Sequence, residues 1–325
     1  MKPLNQNHGW TTARVISSAA AMICVLSYFH LATGCVQAQD SKTSSQAAST
    51  ASANMSASGD AATKKFEDFD PGNFSDPTNI TNQWMPMKPG MRWTYEGTTI
   101  EDDGTAVPHK IVINITDLTK VIGGVRSVCS WDLDYSDGEL VEAELAFFAQ
   151  DDDGNVWRMG EYPEEYEEGK FLAAPTWIHG FEDARAGIMM QASPKLDTPS
   201  YSQGWGPAVN WTDRGKVDQM GAKTKAKAGS YDNVLVIAET SASEPDAQQL
   251  KYYAPGVGNV RVGWRGAGEK TKETLELTKH ETVDAKGLAE MRAEAMKLEK
   301  SGYKNSKNVY AKTPQLEQMM SSAAK

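Results

Sequence analysis

The stretch RSVCSWDLDYSDGELVEAELAFFAQDDDGNVWRMGE, residues 126–161, decides the fold of this protein. Apolar and polar side chains alternate along three runs, and Asp137-Gly138 and Asp153-Gly154 separate these runs. A period of two residues is typical of a strand with two unlike faces, and Asp-Gly is a strong hairpin signal. The stretch therefore predicts three antiparallel strands joined by tight turns.

The same pattern recurs on both sides of this stretch. Upstream, Ile111, Ile113 and Ile115 stand two residues apart. Downstream, three further runs repeat the period: YDNVLVIAETS (231–241), QLKYYAPGVGNVRVGWRG (249–266) and ETLELTKHETV (273–283). Helical periodicity is scarce before residue 283. We therefore expect residues 67–283 to form a mainly β domain, built on a curved antiparallel sheet of the half-barrel or sandwich kind.

The pattern changes after residue 283. In AKGLAEMRAEAMKLEKSGY (285–303), Leu288, Met291, Ala295 and Leu298 recur at steps of three and four residues, with charged residues between them. This spacing predicts an amphipathic helix whose apolar stripe packs against the sheet. Residues 284–325 are thus expected to form a C-terminal helix followed by a partly disordered tail.

The first 35 residues have the order of a secretory signal peptide. Lys2 and Arg14 precede the apolar run VISSAAAMICVLSYFHLATG (15–34), and no acidic residue accompanies them. The run approaches the roughly 20 residues that span a bilayer, so a retained anchor is the alternative, although His30 makes it a poor span. We expect an exported protein of the periplasm, the outer membrane or the cell surface.

Two processing sites compete at the end of this segment. LATGC (31–35) resembles the bacterial lipobox, with Ala32 where Leu is usual, and would make Cys35 the lipidated N-terminus. Cleavage after Ala38 is the alternative. Residues 36–66, rich in Ser, Ala and Thr, predict a disordered linker, because they bury too little to offset the entropy of ordering. A linker suits a lipid tether, so we favour lipidation and a membrane as partner.

The charge of the chain argues against nucleic-acid binding, and its cysteine content argues against a disulfide within the folded domain. The chain of 325 residues has a net charge of −10, and loss of Lys2 and Arg14 with the signal would make it −12. Such a chain repels phosphate backbones, so nucleic acid is not an expected partner. Of the three cysteines, Cys129 alone falls in the folded region, which excludes an internal disulfide and suits a buried thiol.

The acidic stretch 151–168 is a candidate for a metal-binding loop. An EF-hand loop needs Gly at its sixth position, whereas Gly154 stands at the fourth position of a loop that begins at Asp151. A tight turn is therefore the better interpretation, and calcium stays an open alternative. His109, His179 and His280 lack the spacing of transition-metal ligands. We therefore predict no metal site and no cofactor.

Catalytic signatures are also scarce. The chain has neither a Gly-x-Ser-x-Gly elbow nor a phosphate-binding glycine loop. A carboxylate pair for glycan hydrolysis is harder to dismiss, since two acids far apart in sequence can meet in space. Glu144, Asp151, Glu161 and Glu165 are available. Acids on turns and strand rims are usually solvated, and we expect these to be so.

Aromatic residues mark the candidate ligand site. Trp177, Tyr201, Trp205 and Trp211 lie in or beside a Gly- and Pro-rich middle segment, and irregular segments on a β scaffold often carry function. Clustered aromatics suit an apolar or glycan ligand, but they also suit a core. Trp157, on an alternating strand, is assigned to the core.

Three motifs point to a family. AQDDDGNVWRMGE (149–161), GIMMQASP (187–194) and KYYAPGVG (251–258) resemble a group of exported bacterial proteins, mostly uncharacterised, with AQDxxGNVW, GIxMxAxP and KYYAPGVG motifs. This chain departs from that pattern at Arg158 and Met159, where an aromatic pair is expected. The APGVG turn is also similar to one in exported proteins whose curved sheet half wraps a helix. The resemblance implies export and a half-barrel, but no chemistry.

Taken together, these patterns predict an exported, lipid-anchored bacterial cell-envelope protein. Its domain would have a non-catalytic binding or structural role. The alternative is a carboxylate-dependent hydrolase that acts on glycans.

Overall fold

The computed structural model describes residues 63–101 and 103–319. The predictions for the signal peptide, for Cys35 and for linker residues 36–62 fall outside the described residues. Residues 63–66, the end of the predicted linker, lie on the β domain, where Arg185 stands 5.0 Å from the centre of the Phe66 ring. No helix in the described part of the chain combines the length and the hydropathy needed to cross a bilayer.

Strands dominate the described chain, as the alternating pattern predicted. They are β1 (Met91–Ile100), β2 (Ala106–Ile122), β3 (Val125–Ser136), β4 (Glu139–Gln150), β5 (Val156–Glu167), β6 (Lys170–Ala173), β7 (Trp177–Ile178), β8 (Arg185–Met190), β9 (Tyr201–Ser202), β10 (Gly204–Trp205), β11 (Arg214–Ala226), β12 (Gly229–Ser241), β13 (Glu244–Ala254), β14 (Gly258–Arg265), β15 (Thr274–Thr282) and β16 (Glu317–Gln318). One α-helix, α1 (Ala285–Asn305), follows β15.

The strands form one antiparallel sheet. Its hydrogen-bonded order is β10-β8-β5-β4-β3-β2-β1-β15-β14-β13-β12-β11-β9, while β6 and β7 pair with β5, and β16 pairs with β2. Two meanders, β1 to β5 and β11 to β15, therefore join where β1 pairs with β15. The predicted mainly β architecture with an antiparallel sheet and a C-terminal helix is confirmed.

The sheet curves until its two ends meet. β9 pairs with β11 at one end of the order, and β10 pairs with β8 at the other, yet only Gln203 separates β9 from β10. Residues 201–205 thus run from one end of the sheet to the other. A Cβ on Gly187 of β8 would lie 2.2 Å from the carbonyl carbon of Gln203, so this close crossing requires glycine.

Both faces of the first meander are buried. The inner face, which the curved sheet encloses, packs Ile111, Ile113 and Phe148 against side chains of the second meander such as Ile237 and Leu277. The outer face is covered by α1. It carries the hydrophobic residues Leu118, Cys129, Leu145, Phe147, Trp157 and Met159, which pack with Ala295 and Leu298 of the helix. Trp157 lies in this core, as predicted.

The helix is positioned by a capping residue and by ion pairs. Asp284 is the N-cap and accepts a hydrogen bond from the Gly287 amide at 2.8 Å. The stripe residues Met291 and Ala295 are fully buried, and Arg292 donates two hydrogen bonds to Asp117 of β2. Residues 306–319, which the sequence places in a partly disordered tail, pack on the same face and end in β16.

Candidate functional site

The acidic stretch at residues 151–168 forms a hairpin between β4 and β5. The Asp151 carboxylate accepts hydrogen bonds from the Asn155 amide at 2.7 Å and from the Trp157 indole at 2.7 Å. Asp152 accepts from the amide and hydroxyl groups of Ser75. These acids therefore stabilise the turn and its neighbours. Within residues 63–101 and 103–319, no group of three or more His, Cys, Asp or Glu side chains is arranged to hold a metal ion.

Three of the four aromatic residues predicted to bind a ligand lie in the core. Trp177 and Trp211 are each 1 % exposed, and their ring centroids are 5.1 Å apart. Tyr201 is also buried. Each ring packs on a glycine, because a Cβ on Gly206, Gly204 or Gly215 would lie 2.6–2.7 Å from Trp177, Trp211 or Tyr201 respectively. These rings seal the crossing where the two ends of the sheet meet.

Trp205 has a different environment. It is half-buried and lines a surface groove of about 710 Å³, which we call the Trp205 groove. Four cationic residues and one acidic residue line this groove: Lys64, Lys65, Arg185, Arg214 and Asp183. Arg214 is held by Ser200, whose carbonyl accepts from its guanidinium at 2.7 Å. The groove thus combines aromatic rings with positive charge on a protein whose net charge is −10.

Carboxylic acids on the inner face form a second candidate site. The expectation that acids on these strands are solvated is wrong. Glu142 and Glu144 of β4 and Asp134 of β3 are all buried. The alternating pattern separates apolar from polar side chains, and α1 covers the apolar side chains of these strands. The enclosed inner face therefore receives the acids.

Arg158 is the first cation of this interior. Its guanidinium lies 2.6 Å from a Glu144 carboxylate oxygen and also contacts Glu161, and all three side chains are almost fully buried. Both Arg158 and Glu161 reach the inner face because a bulge at Gly160, with φ of 148°, adds one residue to β5. A Cβ on Gly160 would lie 2.6 Å from the Trp177 carbonyl, so only glycine fits there.

His109 is the second cation. Its Nε2 lies 2.7 Å from Asp134, and its Nδ1 lies 2.9 Å from Glu273. Burial by itself lowers the pKa of His109, but the bonds to Asp134 and Glu273 outweigh burial and raise it to about 10. The imidazole is therefore an imidazolium at neutral pH, and it joins β2 to β3 and to the residue before β15.

A small cavity lies among these acids. Its volume is about 50 Å³, and its charged lining consists of Asp132, Asp134, Glu142, Glu144 and Arg158. This volume has room for about three water molecules, whereas ligand pockets usually measure about 300–1,000 Å³. This cavity therefore has no space for an acyl chain or a sugar ring.

The acids proposed for glycan hydrolysis lie partly on the inner face of the sheet and partly at the hairpin turn between β4 and β5. Glu144 and Glu161 meet at Arg158, but both are buried, and the cavity beside them is too small for a sugar. Asp151 lies at the hairpin turn, and Glu165 pairs across the strands with Glu142. The structure thus places three of the four acids on the enclosed inner face, where Glu144 and Glu161 contact Arg158.

A second group of buried charges lies on the second meander. Lys251 contacts Glu239 at 2.5 Å, and Gln203 donates a hydrogen bond to the same carboxylate at 2.6 Å. Asp213 is nearby, and its Oδ1 has no hydrogen-bond partner in the described part of the chain. Burial, with a contribution from the Glu239 charge, raises the pKa of Asp213 to about 7.

His109 also faces a second groove. This groove, the His109 groove, measures about 800 Å³ and lies across β1, β2, β3, β14 and β15. Lys110, Lys227 and Arg261 line it together with Glu96 and Glu276. The buried His109 forms part of its lining, so the bond between His109 and Asp134 places the interior acids next to this groove.

Sequence reasoning missed His109, Arg158 and Glu142 as members of one site. A signal was present. Asp132 and Asp134 are two residues apart on β3, as are Glu142 and Glu144 on β4, so each pair shares a strand face. The antiparallel pairing of β3 with β4 sets Asp132 opposite Glu144 and Asp134 opposite Glu142. Like charges opposite each other are unfavourable unless protons or cations intervene.

Comparisons with known proteins identify no family. No family model and no curated protein sequence matches the chain. One matched structure is a provisionally named exported protein with a YmcC-like fold from Bacteroides fragilis, at 13% identity and a TM-score of 0.37. Another is a provisionally named lipoprotein from Parabacteroides distasonis, at 11% identity and a TM-score of 0.33. Each match covers 62% of this chain and 99% of the other.

Proposed function

We propose that the protein is an exported cell-envelope protein, tethered through a lipid on Cys35, whose β domain binds a ligand in the Trp205 groove without catalysis. The observation that carries the proposal is the contrast between two spaces. The Trp205 groove offers about 710 Å³ at the surface, whereas the cavity on the inner face offers about 50 Å³. A ligand of useful size fits only the first of these two.

The lining of the groove selects the class of ligand. Trp205 and Phe66 provide aromatic surface, which suits the apolar face of a sugar ring or an amphipathic chain. Arg185 and Lys65 provide positive charge near the Phe66 ring, at 5.0 and 5.1 Å. We therefore favour an anionic glycan over a neutral or purely apolar ligand, because only the anionic ligand uses both features.

The tether is supported by the N-terminal sequence. LATGC places small residues directly before Cys35, and residues 36–62 separate this cysteine from the described domain. Thr63 and Lys64 line the Trp205 groove, so the tether enters the domain at the rim of the proposed site. A ligand in the envelope would then lie within reach of the linker.

Thermal shift with defined probes tests the binding role. The probes are oligogalacturonate as an anionic glycan, chitohexaose as a neutral glycan and dodecyl maltoside as an amphiphile. Oligogalacturonate should raise the melting temperature of the wild-type protein, because a ligand of the native state stabilises it. Trp205→Ala and Arg185→Gln should each abolish that shift.

Trp264→Ala is the matched control. Trp264 is an exposed tryptophan on β14, 37 % accessible and outside the Trp205 groove. This variant should keep the full shift. An equal shift in all variants would place binding elsewhere, and no shift with any probe would count against a ligand of these classes.

Mass spectrometry of the mature N-terminus tests the tether. We expect a diacylglyceryl group on Cys35 and its loss in Cys35→Ala. An unmodified N-terminus at Gln39 would show ordinary signal cleavage after Ala38 and would contradict the lipid anchor.

A further inference from the structure

The inner face of the sheet holds more acids than its cations can neutralise. Seven carboxyl groups face each other there from β3, β4, β5 and the residue before β15: Asp132, Asp134, Glu142, Glu144, Glu161, Glu165 and Glu273. Among the described residues, Arg158 pairs with Glu144 and Glu161, and His109 pairs with Asp134 and Glu273. Two cations do not balance seven carboxylates, and burial of the excess negative charge would cost far more free energy than a folded domain has available, so that charge must be removed.

Glu142 forms an ion pair with neither of these two cations. Its side chain is 2 % exposed, and its Oε2 has no hydrogen-bond partner among the described residues. Its neighbours are acidic: Asp134 opposite on β3, Glu165 opposite on β5, and Glu144 two residues along β4. Arg158 is engaged by Glu144 and Glu161. The Glu142 carboxyl group lines the cavity of about 50 Å³.

We propose that this interior is a proton-binding site, in which Glu142 is held as a neutral acid at neutral pH and Glu144 and Glu161 share a further proton beside Arg158. A proton fits the cavity of about 50 Å³, because it neutralises a carboxylate without requiring volume. The described residues offer no metal-binding arrangement of side chains in its place.

The electrostatics of the individual groups agree with this assignment. Burial, followed by repulsion from Glu144, raises the pKa of Glu142 well above its usual value. Burial also raises the pKa of Glu144 well above its usual value, although Arg158 opposes that rise. Burial raises the pKa of Asp132 to about 7 and that of Asp134 to about 6, so these two aspartates lose their protons before Glu142 and Glu144.

The site lies next to an open groove. His109 borders the His109 groove, and Asp134 lines the cavity. The two side chains are joined by a bond of 2.7 Å. This buried pair is the route by which we expect protons to pass between the groove and the interior. The occupancy of the site follows the pH of the surroundings, which an exported protein, as proposed above, shares with its environment.

The sign of the pH effect follows from the extra protons. Above about pH 5 the unfolded chain has ionised glutamates, while the native state keeps the protons of this site. Since the native state binds more protons, the stability of the fold decreases as pH rises. The equilibrium constant for unfolding should increase about tenfold per pH unit for each proton retained.

Denaturant titrations between pH 5.5 and pH 8 test the proposal. The wild-type unfolding constant should rise with pH. Glu142→Gln mimics the neutral acid and should reduce the slope of log K against pH by about one, equivalent to a tenfold smaller change per pH unit. Glu139→Gln, an exposed change on the same strand, is the control and should leave the slope unaltered.

A second measurement does not depend on the variant folding well. The infrared spectrum of the wild-type protein at pH 7 should contain the C=O stretch of protonated carboxyl groups. A flat or rising stability from pH 5.5 to pH 8, together with the absence of that band, would overturn the proposal. Neither result bears on ligand binding in the Trp205 groove, so the two proposals can fail separately.

Discussion

At the scale of single residues, Arg158 and Gly160 organise the interior. The sequence pattern placed Arg158 on a strand face but gave no reason for a cation there. The structure shows the reason, because the bulge at Gly160 turns Glu161 to the same face as Arg158. One guanidinium thus contacts two acids, and its Cζ lies 5.5 Å from the centre of the Trp211 ring.

The environment of Asp213 leads to a pH-dependent prediction. Its pKa is raised to about 7, so the buried carboxylate costs stability as pH rises from about 4 through 7. Asp213→Asn removes this ionisation. The variant should be more stable than the wild type at pH 8, by about 1–3 kcal/mol, and the advantage should shrink toward pH 4.

Urea denaturation at pH 5 and pH 8 measures the effect. Asp246→Asn, an exposed change on β13, serves as the control and should alter stability little at either pH. Equal destabilisation by Asp213→Asn at both pH values would mean that Asp213 is ionised and favourably bound throughout.

At the scale of secondary-structure elements, Lys120 fastens the helix to the sheet. The side chain of this β2 residue is fully buried. Its Nζ lies 3.2 Å from both Glu299 and the Tyr303 hydroxyl of α1, and 3.1 Å from Thr313 of the following segment. The Tyr310 ring centre is 4.4 Å away. One ammonium group thus joins a strand, the helix and the C-terminal segment.

Replacement of Lys120 by methionine should loosen all three elements. The substitution preserves the apolar stem but leaves the buried Glu299 carboxylate without its cation, which should lower the free energy of unfolding by about 3–5 kcal/mol. Lys297→Met removes only the exposed pair with Glu294 and should cost less than about 1 kcal/mol.

Denaturation curves and limited proteolysis after residue 305 measure this difference. If both variants lose the same small amount of stability, the helix is held by its apolar stripe alone. In that case the polar contacts of Lys120 with Glu299, Tyr303 and Thr313 do not stabilise the fold.

At the scale of the whole molecule, the curved sheet encloses a filled interior. Carriers of apolar molecules need an empty apolar hollow, whereas the inner face here combines packed hydrophobic side chains with a network of charges. The proposed binding therefore uses the outside of the domain. For this reason the open groove at Trp205, and not the enclosed face, carries the proposed function.

Global opening of the sheet can be followed through Cys129. This thiol is completely buried between the sheet and α1, and burial raises its pKa. Alkylation of Cys129 in the native protein should be at least about a thousandfold slower than in the unfolded chain, because the thiolate becomes available only when the fold opens. The rate of labelling by iodoacetamide, read by mass spectrometry, measures this protection.

Ala242→Cys provides the comparison, since residue 242 lies in an exposed turn. The added thiol should react at nearly the rate of a free cysteine. Rapid labelling of Cys129 itself would show that the helix separates from the sheet locally, without unfolding of the domain.

The sequence by itself determined the strands, the hairpin turns and the helix. Asp-Gly pairs and two-residue alternation are local properties, since turn geometry and strand faces depend on neighbouring residues only. The stripe of Met291, Ala295 and Leu298 likewise identified the helix and its buried face. The sequence also identified the segment that carries Trp177, Tyr201, Trp205 and Trp211. It did not show which of these four rings faces a groove.

Only the tertiary structure decided which face of each strand is dry. Alternation shows that two faces differ, but it does not show that α1 covers one and the curved sheet encloses the other. The acids of β3, β4 and β5 therefore looked solvated in the sequence and are buried in the fold. Burial depends on contacts between residues far apart in the chain, such as His109 with Glu273, and no local pattern encodes those contacts.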